Sequence, residues 1–453
     1  MMRRFFLTFC LTALTGCAGA YAQGVVAITG ARLLTVTHGV IEDGTVLVEN
    51  GKITAVGTSV RVPAGARRID AKGKVVIPGL IDAGDRLGLV EIPAEQVTVD
   101  STEYTDPVQP ELRVLDALNP RSELIRVARA EGITEALSTP AEGNLIAGQS
   151  ALIRLNGETV EELVVKSPAA LHINLGESSK QTYGSKGKPP DTRMGEIAMV
   201  RQAFLKAQHY REEQEAYARK QALLSPAGVG GQAQKQSGEG AKPGDESKPS
   251  APPAHDLKME TLLQALDGKL PVVVGAHRLS DIEAALRLAD EFHLRIILSH
   301  ATAAWRLADK LAAKKVPVIV GPIQEEPSRM ETLDTRLDNA AILHKAGVPI
   351  AFETSADNEV RELPLAVEYA IGNGLPEDAA LAAVTINPAR FFGLEDQLGS
   401  IDVGKEANLV VLDGPPFHVK THVVTELIGG QVVDLTNHQT ELFEFYRKKY
   451  GIQ

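Results

Sequence analysis

The middle of the chain constrains the fold most, because strands and helices alternate there at short, even spacing. Val272-Val273-Val274 predicts a strand, and Ser280 to Phe292 predicts a helix. Ile282, Ala285, Leu286, Ala289 and Phe292 share one face of that helix, and Ser280 with Glu283 has capping-box spacing. Arg295 to Leu298 predicts the next strand, Thr302 to Ala313 the next helix, and Val316 to Val320 the strand after it. Leu337 to Ala346 then reads as a helix stopped by Gly347, and Val348 to Phe352 as a strand. Repeated β-α units require a parallel sheet covered by helices. Over this length they predict an α/β fold built as a closed, TIM-like (β/α)8 barrel. An open doubly wound sheet is the competing architecture, and no glycine-rich phosphate-binding turn follows these strands to favour it. Aromatic residues make up only 4% of the 453 residues, so the core must come mainly from Ala, Val, Leu and Ile, as buried parallel strands do.

The two ends of the chain have a different texture. Val46-Leu47-Val48 and Ile53-Thr54-Ala55-Val56-Gly57 flank Asn50-Gly51, which is a hairpin signal. Ala407 to Leu412 predicts a strand, and Glu426 to Val433 another hairpin. These runs predict a small β-sandwich formed by residues 23–77 and 395–435, flanking a barrel at 78–394, with 436–453 as a C-terminal helix. From about 224 to 254 the chain turns to Gly, Ser, Pro, Lys and Gln, including Lys242-Pro243-Gly244-Asp245. Such a stretch cannot bury enough apolar surface to offset its ordering entropy. It is expected as a disordered insertion after a charged helix through Arg201 to Lys220.

Residues 1–22 read as a signal peptide. Arg3 and Arg4 precede an apolar run, Phe5 to Leu14, that is too short to span a bilayer. Ala20-Tyr21-Ala22 has the small-residue pattern of a cleavage site, whereas Leu14-Thr15-Gly16-Cys17 would instead leave Cys17 lipidated. The chain is therefore expected to be periplasmic or secreted, or an outer-membrane lipoprotein attached only through Cys17. Cys10 and Cys17 are its two cysteines, so the mature chain offers no disulfide pair and no thiolate metal site. A metal would have to sit on His, Asp, Glu or a modified Lys. With a net charge of −11 and no basic block, nucleic acid is not an expected partner.

Five strings then occur in a telling order. Val75-Val76-Ile77-Pro78-Gly79-Leu80-Ile81-Asp82 comes first, followed by Gly132-Ile133-Thr134 and Gly143-Asn144-Leu145-Ile146-Ala147-Gly148-Gln149. Thr385-Ile386-Asn387-Pro388-Ala389 and Gly399 to Val410 complete the set. In this order the sequence resembles the amidohydrolase superfamily, in the branch related to imidazolonepropionases, over nearly all of the chain after the leader. The resemblance implies one or two divalent metals at the C-terminal mouth of the barrel.

The family's His-x-His after the Pro-Gly-Leu-Ile-Asp run is replaced here by Gly84-Asp85-Arg86. Arg86 cannot ligate a metal, since a guanidinium has no acceptor. A unit charge about 5 Å from a dication costs roughly 6–7 kcal/mol at an effective dielectric near 20, so at most one metal is expected. By resemblance the ligands are Glu177, His277 and His300, with Gly275 and Ser355 standing where the family has a ligand His and the final-strand Asp. Asp357 is the candidate proton carrier, Arg86 the candidate for holding a substrate carboxylate, and His172 a further histidine at a neighbouring strand.

Two functions stay open at this point. One is a hydrolase of non-peptide C–N bonds in amides or cyclic amides, with a single Zn²⁺ and a small-molecule substrate. The other is a non-catalytic relative without metal, acting as a binding module or as partner subunit of an intact paralogue. As partners, the chain is expected to meet a second copy of itself in a homo-oligomer or an intact paralogue in a hetero-oligomer.

Overall fold

The computed structural model describes residues 24–224, 253–324 and 326–452. The leader with Cys10 and Cys17, and nearly all of the polar stretch expected as an insertion, lie outside the described residues.

Both ends of the chain join one eight-stranded sheet. Val75–Pro78 from the N-terminal part pairs antiparallel with Leu409–Leu412 from the C-terminal part, Leu409 opposite Pro78 and Val411 opposite Val76. The Asn50-Gly51 signal forms its hairpin, with Glu49 opposite Lys52. Both turn residues have positive φ, 51° and 79°, as the tight primed turn requires. A β-carbon at Gly430 would lie 2.7 Å from the Cα of Gly51. The two hairpin turns, nearly 380 residues apart in sequence, therefore pack backbone against backbone. Ile28, Leu33, Val46, Ile53, Val76, Leu409 and Leu427 fill the core of this sheet.

The middle of the chain carries the β-α units in two arcs. One is a six-stranded sheet in which Leu171–Leu175, Val272–Ala276, Ile296–His300, Val318–Val320 and Ile350–Phe352 run parallel in that order. The other contains Leu80–Asp85 and Ile133–Ser138, also parallel. The strands Ile146–Gln149 and Ala151–Arg154 are separated only by Ser150, and they link the arcs by pairing antiparallel with Leu171–Leu175 and Ile133–Ser138 respectively. At the other side Ser355 N–H donates to Gly84 O and Arg86 N–H to Ala356 O, both at 2.8 Å. The expected closed eightfold ring is thus observed as two arcs, one of whose links is antiparallel. No strand ladder joins Ile350–Phe352 to Leu80–Asp85 among the described residues.

Inside the arcs, Ile81, Leu137, Leu152, Val273, Ile297, Ile319 and Ala351 meet Phe391 and Phe392 in one apolar cluster. Residues from successive strands thus pack into a filled interior. Helices cover the outside. Leu279–Phe292 follows the expected stripe, but the capping box does not form: Arg278 is the N-cap, and no side chain caps that end. Ser280 Oγ donates instead to Asp281. Asp281 is in turn held by Arg193 Nε at 2.7 Å, from the long helix Arg193–Leu224. The helix starts two residues before the expected first helical position, so Ser280 falls inside the first turn and cannot cap it.

Asn408 clamps the two regions together. Its Nδ2 donates to Glu135 in the strand Ile133–Ser138, and its Oδ1 accepts from Gly429 N–H. Glu135 is fully buried, and burial pushes its carboxyl up to about 8. The folded chain keeps this proton to about pH 8, while an unfolded chain releases it in the ordinary carboxylate range. The folded state therefore binds more protons across that window, and stability falls as pH rises through it. Glu135→Gln keeps a carbonyl for Asn408 and an amide for the Thr134 hydroxyl. Its melting temperature is expected to fall less than the parent's between pH 5 and pH 8 in a thermal-melt series. A parallel decline in both proteins would show that Glu135 does not carry this effect.

Candidate metal centre

Side chains in a strand return to the same face every second residue. Two residues beyond the apolar layer, Gly275, Ser299, Gly321 and Glu353 form the next layer toward the C-terminal ends of their strands. His300 breaks this alternation. Its φ is +61°, followed by +49° at Ala301, a left-handed conformation that costs a side-chain-bearing residue on the order of 1–2 kcal/mol. The turn lets Ser299 and His300 both reach the centre.

Glycines make the room. A β-carbon at Gly84 would lie 2.5 Å from Glu353 Oε2, and one at Gly275 would lie 3.3 Å from His300 Cδ2. These are two of the positions where the resemblance leads one to expect histidines. Their missing side chains leave the space now taken by the Glu353 carboxylate and the His300 ring.

The buried Glu353 carboxylate accepts from His300 N–H at 2.7 Å and from Ser299 Oγ at 2.9 Å. His300 Nδ1 lies 3.1 Å from Glu353 Oε1, and its Nε2 lies 3.1 Å from Glu142 Oε1. Burial works against charge on the ring, but the two carboxylates outweigh it and hold His300 well above the usual imidazole range. Burial likewise opposes ionisation of Glu142, yet His300, then His277 and Arg329, hold it well below the carboxylate range. His277 stacks on His300, with ring centroids 4.8 Å apart and planes 7° apart. Burial and then the positive His300 push His277 down to about 3. Its Nδ1 is 2.8 Å from Thr302 Oγ1 and its Nε2 is 3.3 Å from Arg329 Nη2.

One ligand atom each from Glu142, His277 and His300 lie within 4.8 Å of one another. Two imidazoles and a carboxylate are the donor set of a single zinc site. The second nitrogen of each ring is backed by an oxygen, Thr302 or Glu353, as ring-oriented metal ligands require. The group borders a void of about 10 Å³, room for about one water-sized occupant. On donor chemistry and size, these residues fit one divalent cation.

The residues singled out by sequence fall in three places. His277 and His300 come together. Glu177 stands outside the group: it starts the helix Glu177–Gly184, and its backbone N–H donates to Glu331 Oε2 at 2.6 Å. Arg86 and Asp357 line a separate cavity of about 380 Å³ with Gln324, Glu353, Ser355 and Glu362. There Arg86 Nη1 donates to Ser355 O at 2.6 Å. His172 is buried near His300 and pushed down to about 3 by burial and by that positive neighbour.

Sequence reasoning missed Glu142 and Glu353. Glu142 sits in the turn after Ile133–Ser138, directly before the Gly143-Asn144 string, so its place just past a strand end was the available signal. At the first strand, Asp82 accepts from Thr354 Oγ1 at 2.6 Å and is pushed up to about 7, chiefly by burial. Asp85 is pushed well above the carboxylate range by burial and by Asp82, and its Oδ2 has no hydrogen-bond partner.

Comparison with known proteins agrees with this geometry. Residues 275–439 match the amidohydrolase family. The amidohydrolase tasK of Hapsidospora irregularis is 28% identical over 85% of this chain, which spans 39% of that protein's length. The imidazolonepropionase of Geobacillus kaustophilus is 26% identical, over 87% of this chain and 91% of its own. The crystal structure of an amidohydrolase from Thermotoga maritima superposes with a TM-score of 0.80 at 33% identity, covering 90% of this chain and 99% of that one. Strand ends that gather two histidines and a carboxylate, on a chain this similar to that structure over its whole length, identify the protein as a member of the amidohydrolase family.

Proposed function

We propose that this chain is a hydrolase of non-peptide C–N bonds in amides or cyclic amides. It would use one Zn²⁺ held by Glu142, His277 and His300 inside a closed (β/α)8 barrel flanked by a β-sandwich. The observation that carries the proposal is the convergence of these three side chains within 4.8 Å. When bound, such a cation lowers the pKa of a coordinated water and polarises a carbonyl. The chain's own residues do the rest. Thr302 and Glu353 fix the two rings by their Nδ1 atoms. Asp357, in the cavity that Glu353 separates from the rings, would carry the proton from the attacking water to the leaving nitrogen of a substrate reaching across both spaces. Arg86, which lines the neighbouring cavity, grips a carboxylate on the substrate. Export to the periplasm or beyond, with or without lipidation at Cys17, is part of the same proposal and rests on the leader sequence alone.

A second reading, a non-catalytic binding or partner subunit, is favoured by Arg329. Its Nη2 lies 3.3 Å from His277 Nε2, and its Nη1 lies 3.4 Å from Glu142 Oε2. A guanidinium on two of the three donors opposes a dication by several kcal/mol, on the scale of roughly 6–7 kcal/mol at 5 Å and an effective dielectric near 20.

Metal content separates the two. Elemental analysis after dialysis against zinc is expected to give about one Zn²⁺ per chain, and His300→Ala or Glu142→Ala should remove it. Thr302→Val should weaken binding about 10–100-fold, the usual cost of a lost ring-orienting partner. Glu177→Ala should leave it unchanged. A parent protein that takes up no zinc at saturation would refute the hydrolase proposal.

Arg329→Met tests the competing cation directly. With the guanidinium gone, zinc affinity measured by calorimetry is expected to rise at least about tenfold, because a like charge beside the donors has been removed. An unchanged affinity would mean that Arg329 moves clear of the site at no cost.

A further inference from the structure

The helix His438–Tyr450 is built as if for a partner. Its ends are well made. Asn437 Oδ1 accepts from Gln439 and Thr440 N–H, Thr440 Oγ1 accepts in return from Asn437 N–H, and Gly451 closes the other end at φ +64°. Yet none of its residues is buried. The helix touches the rest of the chain mainly at its start, where His438 N–H donates to Glu123 Oε1. Thirteen residues make only a marginal helix in water without a packed face.

Its amphipathic face points outward. At 100° per residue, Phe445, Leu442, Tyr446, Tyr450 and Phe443 cover one broad arc. Their exposures run from 41% at Leu442 to 66% at Tyr450. The half-buried positions are the charged Glu444 and Arg447, on the other side. Within this arc the ammonium of Lys449, from the same helix, lies 5.6 to 6.0 Å from the ring centroids of Phe445, Tyr446 and Tyr450, and the rings stay largely exposed.

We infer that a second copy of this chain covers it, through an antiparallel pairing of the two helices. The charge order supports this occupant. Glu441 lies in the first turn, Arg447, Lys448 and Lys449 in the last, and the central Glu444 is paired with Arg447 of the same helix. Head-to-tail pairing of identical helices sets each acidic first turn against a basic last turn. With the two-fold axis between residues 444 and 445, Phe443 lies opposite Tyr446 of the second copy, and Glu441 opposite its Lys448. Glu441 and Lys448 flank the arc on the same side, as this register requires. A two-fold contact of this kind uses one patch twice and closes at a dimer. One helix face gives roughly half of the ~800 Å² per partner typical of a stable interface, so the dimer is concentration-dependent.

Sedimentation velocity of the full chain, from roughly 1 to 100 µM, tests the inference. The parent protein should shift from monomer toward dimer across this range. Phe443→Asp should raise the dissociation constant at least about tenfold, with an unchanged circular-dichroism melt showing that the fold is intact. Glu441→Lys should weaken the dimer similarly, and adding Lys448→Glu to it should restore pairing, since both copies then carry reversed but complementary charges. A parent that stays monomeric at 100 µM overturns the inference. So does a monomer that binds vesicles of anionic phospholipid through this helix, or a dimer indifferent to Phe443→Asp and to the charge swap.

Discussion

The centre of this molecule depends on one buried contact chain, Glu353–His300–Glu142. A histidine ring lies with each nitrogen 3.1 Å from a carboxylate oxygen, one from the last parallel strand end and one from a turn more than 150 residues earlier. Each member would be costly alone in a low-dielectric interior, and together they satisfy one another. The chain also sets backbone geometry. The His300 N–H donates to the same carboxylate as its ring, which supports the left-handed turn at His300 and Ala301. That turn brings consecutive residues, Ser299 and His300, to the same centre.

The histidines that the resemblance leads one to expect at positions 84 and 275, on two different strands, are therefore better described as exchanged than as lost. Gly84 and Gly275 are small where the resemblance implies imidazoles, and the freed volume is filled by Glu353 and by His300 itself. The polar character of the strand-end layer persists, although the residues that supply it have changed. Arg86, which by sequence stands at the mouth of the first strand, is tied to the Ser355 carbonyl beside the neighbouring cavity.

The legible part of the site followed from local pattern. His277 and His300 each stand at the end of neighbouring strands whose apolar runs mark their register, so their nearness could be read from strand order, although His300 turns inward only through its left-handed backbone. Glu142 could not be read that way, because its turn reaches the histidines only after the arcs are linked by the antiparallel pair of strands around Ser150. Glu177 was the more conspicuous carboxylate, being next to a strand end and beside a glycine, but its helix begins there and points its backbone at Glu331. The fold was legible for the same reason as the histidines: β-α alternation and the Asn50-Gly51 hairpin are local signals. The capping box at Ser280 failed because the helix begins earlier, at Leu279, which puts Ser280 inside the first turn, and Glu283 pairs with Lys310 instead.

The two functional readings are alternative answers to one charge problem. Glu142 and Glu353 bring negative charge into a space with little water, and Asp82 and Asp85 stand close behind, pushed toward their neutral forms by burial. Something positive must stand against these carboxylates. In the geometry described here the His300 imidazolium and the Arg329 guanidinium do so. A dication on the same donors would do it as well, and would require His300 to give up its ring proton and Arg329 to withdraw. His277, held neutral by burial, suits either arrangement. What distinguishes a catalyst from a binding subunit here is then not the presence of ligands but the relative cost of displacing one proton and one guanidinium from a site that already satisfies itself.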